Sequence, residues 1–76
     1  MENINDEVKN LVGINERFDK ESVDVQQVRL SYANTMQFLI NLRDAVGRSE
    51  AGRNIAIAIT DLESSCMRAV KAIYSQ

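Results

Sequence analysis

The sequence predicts an all-α fold: a short N-terminal helix, then a long antiparallel helical hairpin, with copies assembling into a helical oligomer. Three observations carry that expectation. Proline is absent and glycine occurs only at Gly13, Gly47 and Gly52, so the chain has few breaks. Apolar residues recur at three- and four-residue intervals, the period of a helix rather than of a strand. The final stretch, Gly52 to Ile73, is apolar on more sides than one neighbouring helix covers. The chain reads as a single helical-hairpin domain over 1–76, with helices at about 3–17, 22–46 and 50–74.

The first helix rests on Ile4, Val8, Leu11 and Val12, which fall at helical spacing. Asp6 and Glu7 lie in its first turn, where negative charge suits the helix dipole. Gly13 weakens its second half, so a short or broken helix is expected. Phe18-Asp19-Lys20-Glu21 is a connector, and Asp19 or Ser22 caps the second helix. That helix, from about Ser22 to Val46, is roughly 37 Å long at 1.5 Å per residue. Val25, Val28, Tyr32, Met36, Leu39, Leu42 or Arg43, and Val46 form a near-heptad stripe. Leu30, Phe38 and Ile40 lie off that stripe, either at the groove edges or against another subunit.

Gly47 and Gly52 flank Arg48-Ser49-Glu50-Ala51, the clearest turn in the chain. A turn this short makes the second and third helices an antiparallel hairpin. The main stripe of the third helix is Ile55, Ile59, Leu62, Cys66, Ala69 or Val70, and Ile73. Ala56, Ile57 and Ala58 fill the turn around it. The N-terminal helix covers part of the exposed face, and the remainder is assigned to subunit contacts. The small residues Ser64, Ser65 and Ala69 suit the close approach of another helix.

Composition narrows the function. Nine basic and eleven acidic residues leave a net charge of −2, which disfavours a general nucleic-acid binder and predicts no DNA partner. A small anionic ligand needs only two or three placed cations, so it stays open. With one cysteine and no histidine, neither an internal disulfide nor a cysteine- or histidine-based metal site is expected. Of the usual remedies for a small core, oligomerisation is the one left. No stretch is apolar enough to span a membrane, and Met1-Glu2-Asn3-Ile4-Asn5-Asp6 has no signal-peptide character. An intracellular protein with a free thiol is the expectation. No activated nucleophile, phosphate loop or metal cluster is visible, so neither catalysis nor a cofactor is expected. Acid pairs such as Glu2 with Asp6 read as solvated charges.

The candidates for ligand contact are few. Arg53 lies near a helix start, where the dipole favours anions and disfavours a cation. With Arg48 close by, its forked donors suit a phosphate. The ordinary alternative is an exposed ion pair with Glu50 or Asp44. Thr60 either bonds back to the Ala56 carbonyl or faces a polar cavity. Asp61 either pairs across the hairpin or shares that cavity. Lys20 and Arg29 supply charge near the second helix, and Phe18 and Tyr32 supply flat faces for stacking. Tyr32 is on the core stripe, so Phe18 is the better stacking candidate. The residues named as ligand-binding candidates are Arg53, Asn54, Ile57 and Thr60 on the third helix, with Phe18 and Arg29 near the second.

The run Arg53-Asn54-Ile55-Ala56-Ile57-Ala58-Ile59-Thr60-Asp61-Leu62-Glu63, then Met67 and Val70-Lys71-Ala72-Ile73, resembles the C-terminal helix of a phage family. That family comprises the anti-CBASS and anti-Thoeris sponge proteins. The resemblance covers roughly the last third of the chain, and the long second helix agrees in type and length. It implies hexamers of short helical subunits that sequester cyclic nucleotide immune signals in the cytoplasm of an infected bacterial host. It implies cyclic dinucleotides, or a cyclised ADP-ribose, between paired subunits, and cyclic trinucleotides in separate pockets at threefold contacts. Arg53 and Thr60 then line the trinucleotide pocket, and Phe18 and Arg29 the dinucleotide site. The sequence departs from the family pattern at Glu63, where glutamine is common, and at Ser65-Cys66, where a Gly-aromatic pair stands. Lys71 replaces an arginine, which keeps the charge and loses the fork.

Two other readings compete. One is a helical protein–protein adaptor with no nucleotide ligand, docking its apolar surplus onto a host protein. The other is a small nucleic-acid-binding regulator, which the acidic balance disfavours.

Overall fold

The computed structural model describes residues 4–76. In chain order these form α1 (Asp6–Val12), a 3-10 turn (Phe18–Lys20), α2 (Val23–Val46) and α3 (Glu50–Tyr74). The described residues form no strand. The expected helical hairpin is α2 packed on α3, and α1 lies across it.

Each helix end has a local cause. Asn5 caps α1 by accepting from the Val8 N–H at 2.9 Å. The helix stops at Val12, short of the expected Arg17, because Gly13 turns left-handed at φ 80°. The Ile14 N–H then reaches back to the Lys9 carbonyl at 2.8 Å, the six-to-one bond of a Schellman end. The expected start at Asn3, and Glu2, lie outside the described residues. Ser22 caps α2 through the Val25 N–H, whereas Asp19 lies in the 3-10 turn. Gly47 ends α2 with φ 63° and ψ −151°, a conformation open essentially to glycine alone. Ser49 caps α3 through the Gly52 N–H at 3.0 Å. A Cβ on Gly52 would run into the Gly47 carbonyl oxygen, so glycine there lets the turn close.

The core is small. Val8, Val12, Ala33, Met36, Ile40, Ile59 and Cys66 form one buried cluster, edged by Ile4, Leu11, Val28, Tyr32, Leu39, Ile55 and Leu62. Burying each large aliphatic side chain contributes about 1.5–3 kcal/mol. Ile40 is only 1% exposed, so it belongs to the centre and not off the stripe. The reason is that α2 is covered on two sides. One side faces α3, and the line through Arg29, Ala33, Gln37 and Ile40 faces α1. The register of α1 on that line is antiparallel. The Asn5 N–H bonds Gln37 at 2.8 Å near one end, and the Val12 carbonyl meets Arg29 at the other. Leu42 and Val46, expected in the stripe, are each 38% exposed.

Much apolar surface is left uncovered in the single chain. Phe38 is 66% exposed, Met67 63% and Ile57 48%. No helix among the described residues is long and apolar enough to cross a membrane.

Candidate functional site

The outward face of α3 collects most of the sequence-predicted ligand residues. Positions spaced alternately four and three apart stay on one side of a helix. Arg53, Ile57 and Thr60 fall on such a line, and it continues through Ser64, Met67, Lys71 and Tyr74. Every one of these residues is exposed, and the line lies opposite the buried stripe of Ile59, Cys66 and Val70. Asn54 is exposed beside the line.

Within one chain, Arg53 and Thr60 take their ordinary partners. Arg53 pairs with Glu50 one turn away at 3.1 Å, and Thr60 donates to the Ala56 carbonyl at 3.2 Å. Asp61 makes no ion pair among the described residues. Both partners of the Arg53–Glu50 pair are largely in water, so the contact is weak and exchangeable. Arg53 also opens onto a depression of about 330 Å³ at the hairpin end, with Arg43, Arg48 and Ser49 around it. Arg43 is engaged by Glu7 and Asp44, while Arg48 makes no ion pair among the described residues. The free N–H groups of the first turn of α3 point to the same end, so the potential there favours an anion. Farther along the line, Ser64, Met67, Arg68 and Lys71 edge a second depression of about 380 Å³.

The connector candidates are held in a different way. Phe18 opens the 3-10 turn and is half-buried. Arg29 is a three-way clamp. Its Nε and Nη2 donate to the two carboxylate oxygens of Glu21 at 2.8 and 2.9 Å, and its Nη1 donates to the Val12 carbonyl at 2.8 Å. Arg29 and Glu21 are only 16% and 14% exposed in their side chains, so the pair is little screened. The Arg29 hydrogen bonds hold the Glu21 carboxyl below its usual range against the opposing effect of burial, and the Tyr74 hydroxyl helps. The same contact raises the Arg29 guanidinium above its ordinary value. The Cys66 sulfur lies 3.8 Å from the same Val12 carbonyl, and burial pushes its thiol up, so it is a packed and unreactive group.

Two residues enter this place that sequence reasoning missed. Arg17, Lys20 and Tyr74 surround Glu21 at a shallow depression of about 320 Å³. The Tyr74 hydroxyl donates to Glu21 at 3.1 Å from 53 residues away. No local pattern announces that contact, because it depends on where the far end of α3 returns. Arg17 is hidden by the expectation that it closes the first helix. Tyr32 proves a half-buried edge residue whose hydroxyl bonds Ser65 at 2.5 Å across the hairpin. It is fixed on the core side, as its place on the stripe suggests.

Comparison with curated proteins and with solved structures gave no match. Comparison with protein-family models gave one over residues 1–74, described as the Acb2/Tad1 hairpin domain. The match takes in α1, the connector and nearly all of the hairpin, well beyond the third of the chain that carries the resemblance in sequence. The chain belongs to the Acb2/Tad1 hairpin family, the anti-CBASS and anti-Thoeris sponge proteins.

Proposed function

We propose that this protein binds cyclic nucleotide immune signals between copies of itself and withholds them from the host's defence effectors. The family match over residues 1–74 carries the reading. The cyclic di- or trinucleotides and cyclised ADP-ribose of the resemblance are the ligand class. A homo-oligomer, a hexamer by that resemblance, is the binding form, acting in the cytoplasm of an infected bacterium.

The outer line of α3 supports the reading. It offers Arg53 for a phosphate and Thr60 and Asn54 for base edges or hydroxyls. Ile57 gives an apolar face beside them. The weak Arg53–Glu50 pair is easily exchanged for a phosphate, since forked, charge-assisted bonds to an anion are stronger. Phe18 and Arg29 are proposed for a separate dinucleotide site at the connector. Arg29 retains two of its five N–H donors there after Glu21 and Val12 are served. Sequestration asks for tight binding at high copy number and for no reacting group.

Thermal melting against a panel of cyclic di- and trinucleotides and cyclic ADP-riboses tests the proposal. A ligand that binds only the folded assembly raises the midpoint, by about 2.7 kcal/mol of stability at a hundred times its dissociation constant. A flat response to the whole panel would reject the sponge reading and favour the adaptor.

A further inference from the structure

The connector holds an anion of its own. Glu21 takes both of its carboxylate oxygens to Arg29, at 2.8 and 2.9 Å, and the Tyr74 hydroxyl donates to it at 3.1 Å. Arg17 and Lys20 stand around the same depression, and neither makes an ion pair among the described residues. Three cations and a hydroxyl are thus grouped about one carboxylate. A forked contact from arginine to two oxygens is also how a phosphate is held.

The Glu21 side chain is free to leave without cost to the backbone around it. The residue follows the 3-10 turn in extended conformation, at φ −78° and ψ 161°, outside any helix. Its N–H bonds the Phe18 carbonyl at 3.1 Å, and its carbonyl accepts from Gln26 at 3.0 Å. Both backbone groups keep these partners when the side chain turns out to water.

We infer that Glu21 is a built-in competitor at the connector: it fills the phosphate position on Arg29 in the free protein, and a ligand phosphate binds by displacing it. The displaced carboxylate regains water, so bonds are exchanged and not lost. A ligand with two phosphate groups brings two charges where Glu21 brings one, and so engages Arg17 and Lys20 as well as Arg29. A tethered carboxylate acts at an effective concentration of the order of millimolar. An anion that binds Arg29 no better than a carboxylate therefore loses the contest. Glu21 in this way selects ligands by charge, and Tyr74 raises the threshold from the far end of α3, because its hydroxyl favours the occupied state. The nucleotide ligand rests on the sponge reading; the competition needs only a phosphate.

Isothermal titration with inorganic pyrophosphate tests the competitor. Every variant is built on Arg53→Ala, which removes the other candidate anion site, and circular dichroism first checks its helical fold. Glu21→Gln keeps the size of the side chain and removes its charge. Affinity should rise at least about tenfold over the Arg53→Ala parent, although the same change lowers stability without ligand. A purely structural Glu21 would give no such gain. Tyr74→Phe removes one hydrogen bond from an exposed ring and should raise affinity at least about threefold. Glu16→Gln removes the same charge from the same connector, at an exposed residue with no ion pair among the described residues. Its affinity should stay within about twofold of the parent. Equal or weaker binding by Glu21→Gln, or an equal gain in Glu16→Gln, would overturn the inference. If Glu21→Gln does not fold, unchanged affinity in Tyr74→Phe overturns it instead. Titrating the panel of cyclic nucleotides into the same proteins keeps the two readings apart. The pyrophosphate gain with no cyclic nucleotide bound would leave the competitor standing and reject the sponge. Cyclic nucleotide binding with no pyrophosphate gain would do the reverse.

Discussion

Arg29 reaches the Val12 carbonyl at 2.8 Å, joining the second long helix to the last turn of the first. That carbonyl is one of the four a helix leaves unsatisfied at its C-terminus. Cys66 approaches it from the third helix. One backbone oxygen thus gathers all three helices, and the bidentate Arg29–Glu21 pair anchors the connector to the same point.

Arg29→Ala should therefore act as a folding mutation before it acts on any ligand. It leaves Glu21 without its cation and the Val12 carbonyl without its strongest donor. The expected loss is about 2–3 kcal/mol, read as a lower thermal midpoint by circular dichroism. Arg29→Lys should recover less than half of it, since an ammonium cannot serve both carboxylate oxygens and the carbonyl in that geometry. A midpoint within a degree of wild type for Arg29→Ala would mean the clamp contributes nothing.

Gly13→Ala should destabilise for two coupled reasons. The left-handed φ of 80° costs an alanine about 1–2 kcal/mol. The new methyl would also collide with the Arg29 guanidinium and push it off its partners. In an Arg29→Ala background the collision is gone and only the backbone cost remains. A double-mutant cycle by chemical denaturation should give a coupling of about 0.5–2 kcal/mol. Strict additivity would show that the guanidinium yields freely.

The contrast between local and distant contacts explains what is legible in the sequence. The cap at Ser22 and the breaks at Gly13 and Gly47 act within a few residues, so pattern reading finds them. The role of Arg29 is not of that kind. Its partners are 8 and 17 residues away, and on charge alone it looks available to a ligand. Ile40 falls off the stripe in sequence because a heptad pattern assumes one partner helix, and α2 has two. At the candidate site, spacing identifies Arg53, Ile57 and Thr60 as one face. Both alternatives for Arg53 and Thr60 involve the same residues, and in one chain their intramolecular partners take them.

Acid should expose the Glu21 contact. Its carboxyl lies below the ordinary range when folded, chiefly through the Arg29 hydrogen bonds. A depressed folded value means the contribution is present above the unfolded value, about 4.3, and disappears as pH falls through the folded one. Glu21→Gln removes it at every pH. The stability gap between wild type and Glu21→Gln should be full at pH 7 and should close as the solution is acidified below about 4. A gap that stays constant down to pH 3 would show that the charge on Glu21 does not stabilise the fold.

Arg53→Ala separates binding from folding. Arg53 is exposed and its pair with Glu50 is worth well under about 1 kcal/mol. The substitution also removes a cation from a helix start, where the dipole disfavours it. The thermal midpoint without ligand should therefore stay within about 2 °C or rise slightly. Affinity for the stabilising cyclic nucleotide should fall roughly tenfold to a hundredfold, the worth of a charge-assisted bond to phosphate. Arg53→Lys should recover part of that affinity, since the charge returns without the fork. Isothermal titration on all three proteins, with mass in solution measured alongside, tests the assignment. Equal affinity for wild type and Arg53→Ala in an intact assembly would remove Arg53 from the site.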